Sequence, residues 1–112
     1  MSSTRFYSSQ QEKEIAKRFN GKITPNSGGT RFGGGDVLLD DVFIEAKTCT
    51  KPQKGFTIKE DWLEKAKEQA FEQHKNHWIL AFRFAPYGKD YYVVDKRSID
   101  LLIEKIGEMN ND

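Results

Sequence analysis

Apolar residues recur along this 112-residue chain at two kinds of spacing, one typical of helices and one typical of strands. Helical spacing predicts helices over 11–19, 59–75 and 98–107. Short runs rich in β-branched and aromatic residues predict strands over 22–24, 36–40, 42–48, 77–85 and 90–95. The predicted order of elements is therefore α-β-β-β-α-β-β-α.

Turn and capping residues separate these segments. Asn20-Gly21 is predicted to end the first helix, and the glycine-rich stretch 25–35 is predicted to be a loop. Asp40-Asp41 predicts a tight turn between two strands. Ser98 is predicted to cap the last helix, which is expected to end near Gly107.

Strands and helices in this order predict an α/β fold with a mixed five-stranded β-sheet flanked by helices. A chain of 112 residues supports one hydrophobic core, so residues 1–112 are expected to form a single domain. No internal repeat or linker divides the sequence.

Composition narrows the class of protein. Apolar residues make up 37% and charged residues 31% of the chain, which is typical of a folded domain and not of a disordered one. No apolar run is long enough to span a bilayer, so we expect a cytoplasmic protein with no membrane partner. Cys49 is the single cysteine, which excludes an intrachain disulfide and a cysteine-based structural zinc site.

Charge is unevenly distributed, although the net charge is only +1. Residues 1–35 contain six basic and two acidic side chains, a local charge of +4, and residues 46–59 add four lysines and no acid. From residue 95 onward, five acids and three bases give a local charge of −2. The basic character of the first half indicates either a polyanionic partner that the net charge conceals or lysines that only keep the surface solvated.

The turn at Asp40-Asp41 has a consequence for two acidic residues. If it is a two-residue turn, Leu39 lies opposite Val42 and Asp36 lies opposite Glu45. Opposed side chains in antiparallel strands have Cβ atoms about 4.5–5.5 Å apart, so the two carboxylates repel each other unless a cation neutralises them. Because side chains alternate along a strand, Lys47 is expected on the same face.

Two carboxylates at this distance are suitable ligands for Mg²⁺, which prefers oxygen ligands and retains several waters. A bound divalent cation can activate a water for attack on phosphorus, and a lysine can offset charge at the phosphate. The alternative is an exposed hairpin whose polar face happens to carry Asp36, Glu45 and Lys47.

The same residues resemble the motif of the PD-(D/E)XK nuclease superfamily, with Gly35-Asp36 in place of Pro-Asp and Glu45-Ala46-Lys47 as the E-x-K element. The order of parts over residues 8–95 is most like the archaeal-type and phage Holliday-junction resolvases. The resemblance implies a restriction-endonuclease-like fold and a Mg²⁺- or Mn²⁺-dependent site at Asp36, Glu45 and Ala46.

The resemblance also implies further site residues. Glu12 matches a helix glutamate that completes the metal site, with Glu14 as the competing candidate, since one helix register is easily shifted by two residues. Ser27 or Thr30 matches a hydroxyl residue of the loop that bonds a phosphate oxygen. Lys65 and Gln69 on the second long helix are candidates to reach the site.

The glycine-rich loop is not a Walker loop, because no Gly-Lys-Ser/Thr ends it and a strand follows. Basic side chains in and after it are predicted to contact the DNA backbone: Arg31, Lys51, Lys54 and Lys59.

Three functions follow as expectations. The first is a structure-selective endonuclease, above all a Holliday-junction resolvase that acts as a homodimer, because two symmetric cuts need two sites and one chain has one. The second is a repair, replication or restriction-type endonuclease that cuts other DNA forms, whether branched or duplex. The third is a non-catalytic DNA-binding module. The small size suits a phage or mobile-element protein.

Overall fold

The computed structural model describes residues 3–23 and 35–110. Within these residues, three helices and five strands follow one another in the predicted order. The helices are α1 (Ser3–Phe19), α2 (Glu60–Glu72) and α3 (Lys96–Asn110). The strands are β1 (Lys22–Ile23), β2 (Gly35–Leu38), β3 (Val42–Lys47), β4 (His77–Phe82) and β5 (Tyr91–Val93).

The five strands form one mixed sheet in the spatial order β1-β2-β3-β4-β5. β3 and β4 are parallel, and all other neighbouring pairs are antiparallel. A parallel pair needs a crossover connection, which α2 supplies between β3 and β4. The prediction of an α/β domain with a mixed five-stranded sheet is confirmed.

The helices α1 and α2 cover opposite faces of the sheet. On one face, Ile15 of α1 packs in a cluster with Ile44 and Ala46 of β3. On the other face, Ala66 and Ala70 of α2 pack against Phe43 and Trp78. Because side chains alternate along β3, Phe43, Glu45 and Lys47 point toward α2, and Ile44 and Ala46 point toward α1.

The hairpin between β2 and β3 has the predicted two-residue turn. The Leu39 amide donates to the Val42 carbonyl at 2.9 Å, which closes the turn around Asp40 and Asp41. The end of α2 holds this turn in place, because Lys75 Nζ donates to the Asp40 carbonyl at 3.0 Å. The Asn76 amide donates to Asp41 Oδ1 at 3.1 Å, so the hairpin is tied to the connection that leads into β4.

The junction between α1 and β1 depends on a close approach. Asn20 has a φ of 56°, a left-handed conformation that asparagine tolerates, and the Gly21 amide donates to the Ala16 carbonyl at 2.8 Å. A Cβ at Gly21 would lie 2.5 Å from Leu39 Cδ2 and 2.9 Å from the Leu38 carbonyl oxygen. Only glycine lets the chain pass this close to β2, and the predicted helix end is confirmed.

Several helix boundaries differ from the predictions. α1 begins at Ser3, eight residues before the predicted start at 11, and the Tyr7 ring in its first turns packs edge-on against Tyr87, a contact that helical spacing does not reveal. α3 begins at Lys96, and its cap is Asp95, whose Oδ1 accepts from the Ser98 amide at 2.9 Å. The helix continues through Gly107, so the predicted cap at Ser98 and the predicted end near Gly107 were wrong.

One residue assigned to an apolar helix face was also misplaced. Phe71 is 82% exposed, although it belongs to the apolar residues at helical spacing in the predicted helix 59–75, which are Trp62, Leu63, Ala66, Ala70 and Phe71. The buried positions on α2 are Ala66 and Ala70, so the contact face is narrower than the apolar stripe in the sequence. Within residues 3–23 and 35–110, no helix has the length and apolar character needed to cross a membrane.

Candidate active site

The β2–β3 hairpin places Asp36 directly opposite Glu45. This is the register predicted from the two-residue turn. The two side chains point to the face of the sheet covered by α2, as the alternation along β3 requires. A pair of carboxylates is therefore built into the sheet by backbone pairing alone.

Burial makes Glu45 a much weaker acid than an ordinary glutamate. It is only 6% exposed, and desolvation, a hydrogen bond with Asp36 and repulsion from the Asp36 charge raise the pKa of Glu45 to about 9. The positive charges of Lys47 and Lys65 oppose this shift but do not cancel it. Without a cation, Glu45 is thus protonated at neutral pH.

One oxygen of Glu45 has an unmet bonding capacity. Among the residues that the structure describes, Oε2 of Glu45 is buried and has no hydrogen-bond partner. A buried polar atom without a partner costs free energy, and such atoms often belong to a binding site. This oxygen and the adjacent Asp36, which make no ion pair with a side chain of residues 3–23 or 35–110, fit a site for a divalent cation with oxygen ligands.

Lys47 lies two residues beyond Glu45 on the same face. Its Nζ is 4.7 Å from the centre of the Trp62 ring, a distance suited to a cation–π interaction. Trp62 comes from the first turns of α2, so packing of α2 on the sheet sets the position of the lysine. A cleft of about 350 Å³ lies beside this pair, and its lining includes Phe56 and Lys59.

The helix α2 carries Lys65 and Gln69, the two residues that were candidates to reach the site. Lys65 is close enough to lower the pKa of Glu45 by its charge. Oε1 of Gln69 is buried and, within the described part of the chain, lacks a hydrogen-bond partner. A positive charge and a buried amide oxygen therefore lie on the helix that faces the carboxylate pair.

The two candidate glutamates of α1 have different surroundings. Glu12 is 4% exposed, one turn before Ile15 on the helix that packs on the opposite face of the sheet from Glu45. Glu14 is half exposed, and its Oε1 accepts from Arg83 Nη2 at 2.6 Å. Glu14 is thus engaged in an ion pair with Arg83, and the choice between Glu12 and Glu14 as a third ligand stays a prediction.

The structure does not group three acidic ligands. Among residues 3–23 and 35–110, no three His, Cys, Asp or Glu side chains are arranged so that they could hold a metal ion together. The site in this conformation consists of Asp36 and Glu45, and the role of Glu12 stays a prediction. The side chain of Ala46 is buried on the α1 side, so only its backbone carbonyl could serve as a ligand.

The predicted DNA contacts fall into two groups. Ser27, Thr30 and Arg31 lie outside the described residues. Lys51, Lys54 and Lys59 are all exposed in the segment between β3 and α2. This segment is attached to the chain after β4, because the Gln53 amide donates to the Phe84 carbonyl at 2.6 Å and the Phe56 ring stacks on Phe82. Its lysines follow directly in sequence from the strand that carries Glu45 and Lys47.

The sequence did not predict the contacts of Trp62 and Arg83. Trp62 falls at the helical spacing of the predicted helix 59–75, which favours core packing, and nothing in the sequence shows that a tryptophan on α2 faces a lysine on β3. Arg83 was not singled out, yet its guanidinium is buried and binds Asp90 through Nε at 2.7 Å as well as Glu14. An arginine within an apolar strand was the available signal, since buried charges are almost always paired.

Comparisons with protein-family models, with curated proteins and with solved structures gave no match for this chain.

Proposed function

We propose that this protein is a divalent-metal-dependent DNA endonuclease of the PD-(D/E)XK type, with a restriction-endonuclease-like fold. The observation that carries the proposal is the register that sets Asp36 opposite Glu45 with Lys47 on the same face. Two adjacent carboxylates and one lysine are the groups that metal-assisted phosphodiester hydrolysis requires.

In this proposal Asp36 and Glu45 hold Mg²⁺ or Mn²⁺ through carboxylate oxygens, including the unpartnered Oε2 of Glu45. The cation, when bound, supplies the positive charge that stabilises the transition state and increases the acidity of a water. To hold such a cation together with Asp36, Glu45 would release its proton to solvent, because the shared positive charge would then offset the repulsion between the two ionised carboxylates.

The remaining steps belong to the side chains of this chain. Lys47, oriented by the Trp62 ring, donates hydrogen bonds to a phosphate oxygen and to the attacking water. The water oxygen forms a bond to phosphorus and loses a proton, while the bond between phosphorus and the departing sugar oxygen breaks and that oxygen gains a proton. The exposed lysines 51, 54 and 59 bind the flanking phosphates without reading bases.

Within this class we propose that the substrate is a Holliday junction and that the protein is a resolvase. It rests on the resemblance in the order of parts: an N-terminal glutamate-bearing helix, a glycine-rich segment and the D…E-x-K hairpin. Two symmetric cuts across a junction need two active sites, so a homodimer belongs to the same proposal.

A cleavage assay tests these statements in order. The purified chain is incubated with labelled four-way junction, flap and linear duplex DNA, in Mg²⁺ and then in EDTA. We expect paired symmetric nicks in the junction with Mg²⁺ and no product with EDTA. Metal-dependent cleavage of flap or duplex DNA alone would replace the resolvase with an endonuclease for other DNA forms.

Two variants separate an enzyme from a binding module. Asp36→Ala and Glu45→Ala should each lose cleavage and retain DNA binding, whereas Asp40→Ala, in the exposed turn of the same hairpin, should cleave normally. If the unaltered chain and all three variants bind junction DNA and none of them cuts any substrate in Mg²⁺ or Mn²⁺, the protein is a binding module.

A further inference from the structure

Four aromatic side chains form a continuous row on the face of the sheet that carries Lys47. This aromatic row consists of Trp62, Phe56, Phe82 and Tyr91. The centre of the Phe56 ring is 6.0 Å from that of Trp62 and 4.9 Å from that of Phe82. The centres of the Phe82 and Tyr91 rings are 5.9 Å apart. Each ring therefore contacts the next, although the four come from a helix, a connecting segment and two strands.

Strand pairing places the aromatic row beside the proposed active site. Lys47 of β3 lies opposite Phe82 of β4, and Phe82 lies opposite Tyr91 of β5. Directly opposed residues of neighbouring strands point to the same face of a sheet. The Trp62 ring also lies 4.7 Å from Lys47 Nζ. The row thus leads from the lysine to β5, the last strand in the order of the sheet.

The aromatic row is accessible from solvent. Tyr91 is 49% exposed, and the other three rings are partly exposed. The cleft of about 350 Å³ lies beside Phe56 and Trp62. This volume is at the lower end of the range of about 300–1,000 Å³ that is typical of sites for small molecules. The cleft therefore has room for one flat group of the size of a nucleobase.

The charges around the row favour phosphate groups. The segment 47–59, which includes Phe56, contains four lysines and no acidic residue. Within the cleft, Lys47 and Lys59 outnumber Asp61. Proteins bind single-stranded nucleic acid with this combination, because aromatic rings stack on the bases while positive charges follow the phosphates. The charge and the rings together therefore indicate an unpaired strand as the ligand.

We propose that the aromatic row binds unpaired bases of a single DNA strand beside the cleaved bond. One base enters the cleft next to Phe56 and Trp62, another base of the same strand stacks on the Tyr91 ring, and the lysines of segment 47–59 bind the phosphates. Bases inside an intact duplex stack on one another and do not present their faces. Flaps and gaps do present them, and a junction does so where pairs at its branch point open.

This inference rests on the proposed endonuclease function for the position of the cut. The binding of bases, in contrast, depends on the aromatic row and not on the carboxylates of Asp36 and Glu45. It can therefore be measured in EDTA, without cleavage.

Fluorescence anisotropy with labelled single-stranded and duplex DNA of equal length tests the stacking. Tyr91→Leu keeps an apolar side chain and removes the ring, so it should bind the single strand at least about fivefold more weakly and the duplex as before. Tyr91→Phe keeps the ring and should bind normally. The matched control is Tyr92→Leu, because Tyr92 is 41% exposed but packs beside Phe19 on the α1 side. Circular dichroism should show that all three variants are folded.

Abasic DNA tests the same contact from the side of the ligand. A strand of abasic nucleotides keeps its phosphates and lacks the bases that could stack. The unaltered chain should bind this strand at least about fivefold more weakly than the normal strand. Tyr91→Leu should show a smaller difference between the two strands, because one of the stacking partners is already missing.

Other outcomes overturn the inference. If Tyr91→Leu binds the single strand normally, or if Tyr92→Leu loses as much affinity, the row serves only to pack the sheet. Equal binding of abasic and normal strands would mean that the lysines bind phosphates without stacking. Tighter binding of an RNA strand than of a DNA strand of the same sequence would assign the row to RNA.

Failure of this inference can be told apart from failure of the proposed function. A chain that binds unpaired bases through the aromatic row and cuts no DNA keeps this site and is not an endonuclease. A chain that cuts DNA, with Tyr91→Leu binding and cutting every substrate normally, is an endonuclease without this site.

Discussion

Glu45 combines two properties that a strand residue seldom has: it is acidic and it is buried. The pKa of Glu45 is about 9 in the folded chain, against an ordinary value of 4.5, chiefly because burial disfavours its charged form. Between these values the folded state binds more protons than the unfolded state. The free energy of unfolding should therefore fall as pH rises from about 4.5 toward 9.

Substitution of Glu45 by Gln should remove this dependence. Glutamine keeps the shape of the protonated side chain and cannot ionise, so Glu45→Gln should be more stable than the unaltered chain at pH 8 by more than about 1 kcal/mol, and about equally stable at pH 4.5. Urea denaturation in EDTA at both pH values measures the difference. Glu68→Gln, on the exposed side of α2, serves as the control with little change.

Mg²⁺ gives a second measurement on the same pair of proteins. At pH 8 it should raise the midpoint of thermal unfolding of the unaltered chain, because a ligand that binds only the folded state stabilises it. The Glu45→Gln variant should respond less. An equal response in both proteins would mean that the cation binds elsewhere.

Lys47 is expected to act on the reaction and not on binding. Lys47→Ala should retain DNA and metal binding and reduce the cleavage rate by about 10²–10³, the loss typical of one preorganised charged donor. The measurements are single-turnover cleavage, and DNA binding by fluorescence anisotropy in Ca²⁺. Lys67→Ala, an exposed lysine on α2, is the matched control. Loss of metal binding in Lys47→Ala would show that its role is structural.

At the scale of elements, Arg83 connects the end of β4 to α1 and to the segment before β5. Its guanidinium donates to Asp90 Oδ1 at 2.7 Å and Oδ2 at 3.1 Å, and to Glu14 Oε1 at 2.6 Å. Gln11 of α1 also donates to Asp90 Oδ1, at 3.0 Å. Of the two acids in this network Asp90 is the less exposed, with 14% of its side chain accessible, whereas Glu14 is half exposed.

Removal of the two acids should have unequal effects. Asp90→Ala leaves a buried guanidinium without its main partner and should destabilise the fold by about 3 kcal/mol. Glu14→Ala removes a partner that water can replace and should cost less than about 1 kcal/mol. Chemical denaturation of both variants provides the comparison. If Glu14→Ala is the more damaging change, α1 is held on the sheet mainly by that exposed ion pair.

At the scale of the whole molecule, the exposed lysines after β3 determine how the protein should respond to salt. Each phosphate that a lysine neutralises contributes about 0.9 to the slope of the logarithm of duplex affinity against the logarithm of salt concentration. Replacing Lys51, Lys54 and Lys59 by Gln should lower that slope by about 2 to 3. The fold should be unaffected, because all three side chains are exposed.

Binding isotherms between 50 and 200 mM salt measure this slope, a range over which phosphate contacts change affinity strongly. A matched triple variant at Lys67, Lys96 and Lys105 changes the net charge equally on exposed residues of α2 and α3. Equal effects of the two triple variants would mean that the overall charge attracts DNA and that the segment after β3 makes no special contact.

The sequence alone determined the features that depend on neighbouring residues. The order of elements follows from periodicity, and the pairing of Asp36 with Glu45 follows from a two-residue turn, since a turn fixes the register of the strands that it joins. The ends of elements were less predictable. Phe71 and the start of α3 show that apolar spacing does not reveal which turns find a partner to pack against.

Only the tertiary structure decided what depends on contacts between distant residues. The burial that makes Glu45 a weak acid requires α2 to lie on its face of the sheet, and Lys47 meets Trp62 through the same packing. The pairing of Glu14 with Arg83 spans 69 positions of the chain, and no residue of α3 is buried although its apolar spacing predicted a packed helix. Local spacing cannot encode these contacts, because they are set by the packing of whole elements.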